Sequence, residues 1–240
     1  RTLGICTVRD RIVQRSLLQV LGPTLECSFL DCSHGYRPRR SAETAINQIQ
    51  RLREEGYLWA YEADIEDCFG SVNPELLGTE VEAMLGESSL HWLILTILKS
   101  GALAHGMIQQ GYLGLPQGSP LSPLLANLYL HPFDRALCKQ GFQLVRYADD
   151  FLILTKTEKE AECAGDAAES VLYQRYMRPN PDKTRIVSLH QSIQFLGFSI
   201  DHQGVRPHRK AILALQARLQ KSLEKNKDAE PLQRMKKLTE

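Results

Sequence analysis

Three carboxylates define the chemistry this chain can do. Asp149 and Asp150 are adjacent in the stretch RYADDFLIL (146–154), between two apolar runs, and Asp64 closes the alternating run YLWAYEADI (57–65). Adjacent like charges repel, and Asp is poor in strands because its short side chain competes for backbone hydrogen bonds. The pair therefore belongs at a hairpin turn and Asp64 at a strand end. If the two strands are neighbours, Asp64 and Asp149 share one edge of a sheet. Converging carboxylates then call for divalent cations. Mg²⁺ suits such a site, because it takes few protein carboxylates and completes its shell with water and substrate phosphates. Two such ions about 3.5–4 Å apart clamp an in-line phosphoryl displacement. Strand alternation turns Asp150 partly away from Asp149 and gives it a supporting role. A solvated turn is the commoner use of an isolated Asp-Asp pair. Apolar strands on both sides of this one favour a buried, supported site.

The elements that must position these groups follow from pattern and punctuation. Val8, Ile12, Val13, Leu17, Val20 and Leu21 recur at helical spacing, and Gly22-Pro23 should stop that helix. DCSHGYRPRRS (31–41) is a loop with three arginines, after which Ser41 caps a helix closed by Gly56. Asn73-Pro74 starts another helix, and Ser88 or Ser89 a third. Residues 101–112 suggest a hairpin. GLPQGSPLSP (114–123) is a loop feeding an apolar helix that Pro132 should kink or break. FQLVRY and FLILT are strands around the Asp pair, and Thr157 caps the helix after them. TRIVSL and IQFLGFSI are the last strands, with a turn at 201–204 and a basic amphipathic helix beyond. Helices first, then strands mixed with helices, indicate an α+β fold.

Composition sets the outer bounds. The 240 residues suffice for a sizeable core, and the net charge is +1. That charge is unevenly spread: residues 1–40 carry net +4, residues 201–240 net +5, and the middle net −8. Basic ends around an acidic centre suit a polyanion held at the flanks and cations held between them. No apolar run reaches membrane-span length and the N-terminus has no signal-peptide pattern, so the expected setting is cytoplasmic, with no membrane partner. The six cysteines are scattered. Cys27 and Cys32, with His34 nearby, form the only local cluster, and no second half of a zinc site follows. Free or buried thiols in a reducing compartment are expected.

Seven blocks, in order, resemble reverse transcriptases of the group II intron-like bacterial branch, which includes CRISPR-associated enzymes. They are RTLGICTVRDRIVQ, SHGYRPRRSAETAI, EADIEDCFGSV, GLPQGSPLSPLLANLYL, RYADDF, NPDKT and FLGFSI, and they cover about residues 1–205. The resemblance implies a right-hand polymerase, with fingers over 1–57, palm over 58–203 (with inserted fingers elements around 86–113) and the start of a thumb over 204–240. It implies RNA-directed DNA synthesis. The 3′-hydroxyl of a DNA or RNA primer attacks a dNTP on an RNA or DNA template, with two Mg²⁺ ions for which Mn²⁺ can substitute. Partners would be template, primer and dNTPs, with fused or associated maturase, endonuclease or CRISPR integrase modules.

Carried over residue by residue, Asp64, Asp149, Asp150 and the Ile65 carbonyl hold the metals. Lys183 protonates or stabilises the leaving pyrophosphate. Arg1, Phe69, Gln117 and Gly118 bind the nucleotide, with Phe69 as the ring that leaves no room for a 2′-hydroxyl. Arg37, Arg39, Arg40, Leu196, Gly197 and Phe198 contact template or primer. The family often has aspartate where Gly70 stands. Three other functions compete for the same residues: an RNA polymerase, a binding module and an assembly domain. An RNA-dependent RNA polymerase shares the carboxylates but not a bulky gate. A non-catalytic nucleic-acid-binding module derived from a reverse transcriptase would have no reason to keep Asp64, Asp149, Gln117 and Lys183 together, whereas an assembly domain inside a larger complex could keep them and show little activity in isolation.

Overall fold

The carboxylates stand at the end of a four-stranded antiparallel sheet whose other face packs on the main hydrophobic core. In the computed structural model, residues 5–86, 88–99, 102–104, 107–109, 114–116 and 118–225 are described. The chain divides into two compact units, 1–188 and 189–240.

In the first unit the strands are β1 (Trp59–Asp64), β4 (Gln143–Tyr147), β5 (Asp150–Thr155) and β6 (Arg185–Ser188), in the order β4-β5-β1-β6. A short pair, β2 (Ala102–Ala104) and β3 (Met107–Gln109), runs antiparallel beside it in sequence, as the hairpin signal indicated. The helices are α1 (Val8–Glu26), α2 (Ala42–Glu54), α3 (Pro74–Leu85), α4 (Ser89–Lys99), α5 (Ser122–Lys139) and α6 (Glu158–Gln174). Their starts follow the capping signals. The Ser41 hydroxyl accepts from Thr44 N while Thr44 answers Ser41 N, the Asn73 side chain accepts from Glu75 N and Leu76 N, and Thr157 accepts from Glu160 N.

Strand alternation sorts the sheet's two faces. Tyr61, Ala63, Phe151 and Ile153 face the core, packed with Tyr129 and Phe133 of α5 and Ala164 and Ala168 of α6. Gly165 of α6 lets the helix lie against the sheet: a Cβ there would be 2.6 Å from the Tyr61 ring. Asp64 and Asp150 are paired across β1 and β5, so they point to the opposite face.

Three helix expectations change. The helix expected to stop at Gly22-Pro23 runs to Glu26, with Pro23 inside it. Leu17, Leu21 and Leu25 form one buried row, and burying Leu25 carries the helix one turn past the proline. The buried face is also rotated from the expected stripe. Gln14 joins those leucines inside, while Val8, Ile12, Val13 and Val20 are exposed. Pro132 does not break α5, which continues to Lys139. That helix is buried on nearly all sides, and its packing outweighs the roughly 3 kcal/mol of a lost hydrogen bond and ring clash.

The second unit holds β7 (Ile193–Phe195), β8 (Phe198–Asp201) and β9 (Gly204–Pro207) in one antiparallel sheet, followed by α7 (Arg209–Lys225). The Asp201 carboxylate accepts from Gln203 N and Gly204 N and so shapes the β8–β9 turn. Among the described residues no helix is long and apolar enough to cross a membrane.

Candidate active site

The site is built on a two-residue hairpin. Tyr147 pairs with Asp150, leaving Ala148 and Asp149 as the turn. Ala148 has φ +59°, the left-handed conformation that tight two-residue hairpins demand of their first central residue. Next door, the Ile65 N–H donates to the Asp149 carbonyl at 3.0 Å and extends the β1–β5 pairing into the turn. Carboxylate oxygens of Asp64, Asp149 and Asp150 all lie within 4.8 Å of one another.

Asp150 does not turn away as strand alternation suggested. Alternation fails because Asp149 is a turn residue, while Asp150 opens β5 directly opposite Asp64. The crowding is legible in its proton affinity. Burial pushes the Asp150 carboxyl up to about 7, a hydrogen bond with Asp64 and the charge of Asp149 add to the rise, and Lys183 opposes it. Lys183 Nζ lies 3.0 Å from Asp64 Oδ2, and that contact raises the lysine pKa. An all-oxygen donor set of three crowded carboxylates fits hard divalent ions such as Mg²⁺, whose charge offsets the repulsion.

Beneath the hairpin lies a buried network that no motif announces. The Arg146 side chain is fully buried. Nε and Nη2 donate to Asp134 at 2.7 and 2.5 Å, Nη1 donates to Asn127 Oδ1 and the Ala148 carbonyl, and Nη2 also donates to Ser33 Oγ. Asn127 Nδ2 in turn donates to the Gly35 carbonyl at 2.8 Å. The only sequence signal was an arginine placed inside an otherwise apolar strand. Removing one partner of such a pair strands the other charge. Asp134→Ala should therefore cost about 3–5 kcal/mol, read as a shift in the urea unfolding midpoint. A cost below ~1 kcal/mol would mean water reaches Arg146.

The loop after Cys32 is laid along the same hairpin. Arg146 N donates to the Cys32 carbonyl and His34 N to the Arg146 carbonyl, so Ser33 bridges β4 in parallel fashion. Gly35 is obligatory here, because a Cβ would sit 2.4 Å from Ala148 N. Gly35→Ala should displace the Ala148–Asp149 turn. Primer extension, the activity the resemblance implies, should then fall on the order of 10²-fold, as for other small misplacements of reacting groups. An unchanged rate with a folded variant would detach this loop from the chemistry.

Phe69 follows β1 and is partly buried. Its ring meets Tyr36 edge-to-face at 6.3 Å, and Tyr36 itself has φ +60°. The Phe69 carbonyl accepts from Leu115 N at 2.7 Å, and Gly114 (φ +94°) leaves no room for a Cβ against that carbonyl, only 2.3 Å away. The gate candidate is thus fixed to the 114–116 segment. Gly118 is exposed with φ +105°. Beyond it, Ser119 Oγ donates to the buried Gln14 side chain of α1 at 2.8 Å, which accounts for the unexpected polar residue on that helix face. Gly70 has the Asp67 carboxylate in the space a side chain of its own would need.

A family model described as reverse transcriptase (RNA-dependent DNA polymerase) matches residues 1–200. The chain belongs to that family. As a reverse transcriptase family member it is 30% identical over 236 residues to Protein YkfC of Escherichia coli, covering 82% of this chain and 62% of that protein. It is 38% identical over 135 residues to the group II intron-encoded protein LtrA of Lactococcus lactis, covering 56% of this chain and 22% of LtrA. The chain therefore spans under two thirds of these relatives. Among solved structures it is similar to telomerase from Candida tropicalis in complex with a fragment of telomeric RNA, with a TM-score of 0.63 at 14% identity over 81% of this chain and 37% of that one. That likeness shows a shared fold, helices packed on an antiparallel sheet.

The remaining residues marked by resemblance to reverse transcriptases separate clearly. Asp64, Ile65, Asp149, Asp150 and Lys183 come together, and Phe69 follows within one turn of chain. Arg37 does not present its guanidinium to solvent. It is buried, pairs with Glu26 and donates to the Leu30 and Ser33 carbonyls, so it braces the loop. Arg40 pairs with Asp31, and Arg39 is exposed. Leu196 and Gly197, both at positive φ, form the β7–β8 turn in the second unit, and Phe198 opens β8. Arg1 and Gln117 lie outside the described residues.

Proposed function

We propose that this reverse transcriptase family member is an active RNA-directed DNA polymerase that joins a dNTP to a primer 3′-hydroxyl on an RNA or DNA template. The observation that carries this reading is the convergence of Asp64, Asp149 and Asp150 within 4.8 Å on one sheet face. Those carboxylates, joined by the Ile65 carbonyl, would hold two Mg²⁺ ions, or Mn²⁺ in their place. Bound there, the ions would activate the attacking hydroxyl and offset charge on the leaving pyrophosphate.

The chain's own residues supply the positioning. Asp64 and Asp150 face each other from paired strands, and Asp149 is aimed by the turn. Lys183 keeps its proton at Nζ beside Asp64 and would give it to the pyrophosphate as it leaves. Phe69, braced by Tyr36 and Leu115 N, would lie under the sugar and exclude a 2′-hydroxyl. Gly118 would let backbone approach the nucleotide, with Gln117 beside it and Arg1 on the triphosphate. Arg39 and Arg40 would meet the template backbone, and Leu196, Gly197 and Phe198 the primer. We assign fingers to 1–57, palm to 58–203 with the 86–113 insertion, and the beginning of a thumb to 204–240. Maturase, endonuclease or CRISPR integrase modules are the proposed fused or associated partners.

Extension of an RNA-templated primer in Mg²⁺, with and without excess EDTA, tests this reading. Synthesis that EDTA abolishes and added Mg²⁺ restores is the expected result. Tight primer-template binding with no synthesis in either metal would leave only a binding role.

A further inference from the structure

We propose that Arg146 is a positioning residue for the metal-binding turn: its guanidinium holds Ala148 left-handed and thereby sets the place of the Asp149 carboxylate. The inference rests on reading Asp64, Asp149 and Asp150 as a metal centre.

Asp149 cannot fix itself. It sits in a two-residue turn whose first residue, Ala148, has φ +59°. A residue with a Cβ adopts that conformation only when its surroundings over-determine it. Two contacts hold the turn, one on each of its two carbonyls. Ile65 N donates to the Asp149 carbonyl at 3.0 Å, and Arg146 Nη1 donates to the Ala148 carbonyl at 3.0 Å.

The arginine can act as a clamp because it is itself immobile. It has five N–H groups and makes five hydrogen bonds: two to Asp134 and one each to Asn127, Ala148 and Ser33. Charge balance with Asp134 explains why it is buried. It does not explain why one Nη1 proton is directed at the turn. Lysine, a point charge on a flexible stem, could neutralise Asp134 but could not hold this fork.

The same guanidinium ties the turn to a distant segment. Ser33 Oγ accepts from Nη2, and Asn127 passes the connection to the Gly35 carbonyl. Gly35 packs against Ala148 N. The 33–35 loop and the carboxylate turn therefore share one rigid support.

The test uses the full chain and two readouts. One is Mn²⁺ binding, followed as loss of the free-ion EPR signal. The other is the rate of primer extension, with KM for dNTP measured separately. The variants are Arg146→Lys, Ala148→Gly and their combination. Because the lysine variant could be poorly folded, Arg146→Met with Asp134→Leu removes both buried charges at similar volume. In a folded Arg146→Lys protein, Mn²⁺ affinity and extension rate should each fall roughly 10–100-fold, the range for residues that orient metal ligands, with KM for dNTP little changed. Glycine relaxes the left-handed penalty, so the lysine and glycine effects should be non-additive. The neutral pair should fold and show the same metal defect. Arg146 variants that bind Mn²⁺ and extend like the wild type, or effects that simply multiply, would overturn the proposal. Should the wild type bind Mn²⁺ through Asp149 without extending primers, the polymerase reading fails and the Mn²⁺ data still decide the role of Arg146. No Asp149-dependent Mn²⁺ binding at all would overturn both.

Discussion

Asp149→Asn should abolish primer extension and leave the protein folded. The substitution keeps shape and removes one charge from a cluster whose oxygens lie within 4.8 Å. Its backbone carbonyl still accepts from Ile65 N, so the β1–β5 edge survives. Loss of a preorganised charged group at a reacting centre costs on the order of 10³-fold in rate. Stability should move the other way. The Asp150 carboxyl is pushed up to about 7, first by burial and then by its two carboxylate neighbours. Relieving that crowding should hold or raise the melting temperature measured without metal. A variant that extends within about tenfold of the wild type would remove Asp149 from the chemistry.

Phe69→Ala should admit ribonucleotides. The ring is partly buried in T-shaped contact with Tyr36, and Leu115 N on its carbonyl fixes the backbone that carries it, which opposes its swinging aside for a larger sugar. Cutting it to a methyl leaves space where a 2′-hydroxyl would fit. Preference for dNTP over rNTP should fall on the order of 10²-fold, the scale of steric discrimination in apolar pockets. The stability cost should stay below the ~3–5 kcal/mol of a fully buried phenylalanine. Competition between each dNTP and its rNTP, read as the ratio of kcat/KM values, measures this. Unchanged discrimination would return Phe69 to a packing role.

Much of this was legible in the sequence because the signals were local. A cap announces itself within four residues, as at Ser41, Asn73 and Thr157. Adjacent aspartates between apolar runs force a turn, and that turn fell where the carboxylates needed it. What the sequence hid was set by contacts far apart in the chain. Pro23 and Pro132 read as breaks because their cost is local, while the packing that overrides it is tertiary. Gln14 looked like an exposed position until Ser119 met it across 105 residues. Arg37 read as a cation for nucleic acid, although Glu26 and three backbone carbonyls enclose it. Arg146 was hidden most completely. Its partners Ser33, Asn127 and Asp134 lie in three different segments, and no spacing rule joins them. Asp150 was misplaced for a smaller reason: alternation holds within a strand and not across the turn that begins it.

The most direct test of the central claim is wild-type primer extension on an RNA template in Mg²⁺, with dNTPs and rNTPs offered in separate reactions. The account predicts full-length DNA with dNTPs and little product with rNTPs. Efficient synthesis from rNTPs, or none from either while the primer-template stays bound, would contradict it.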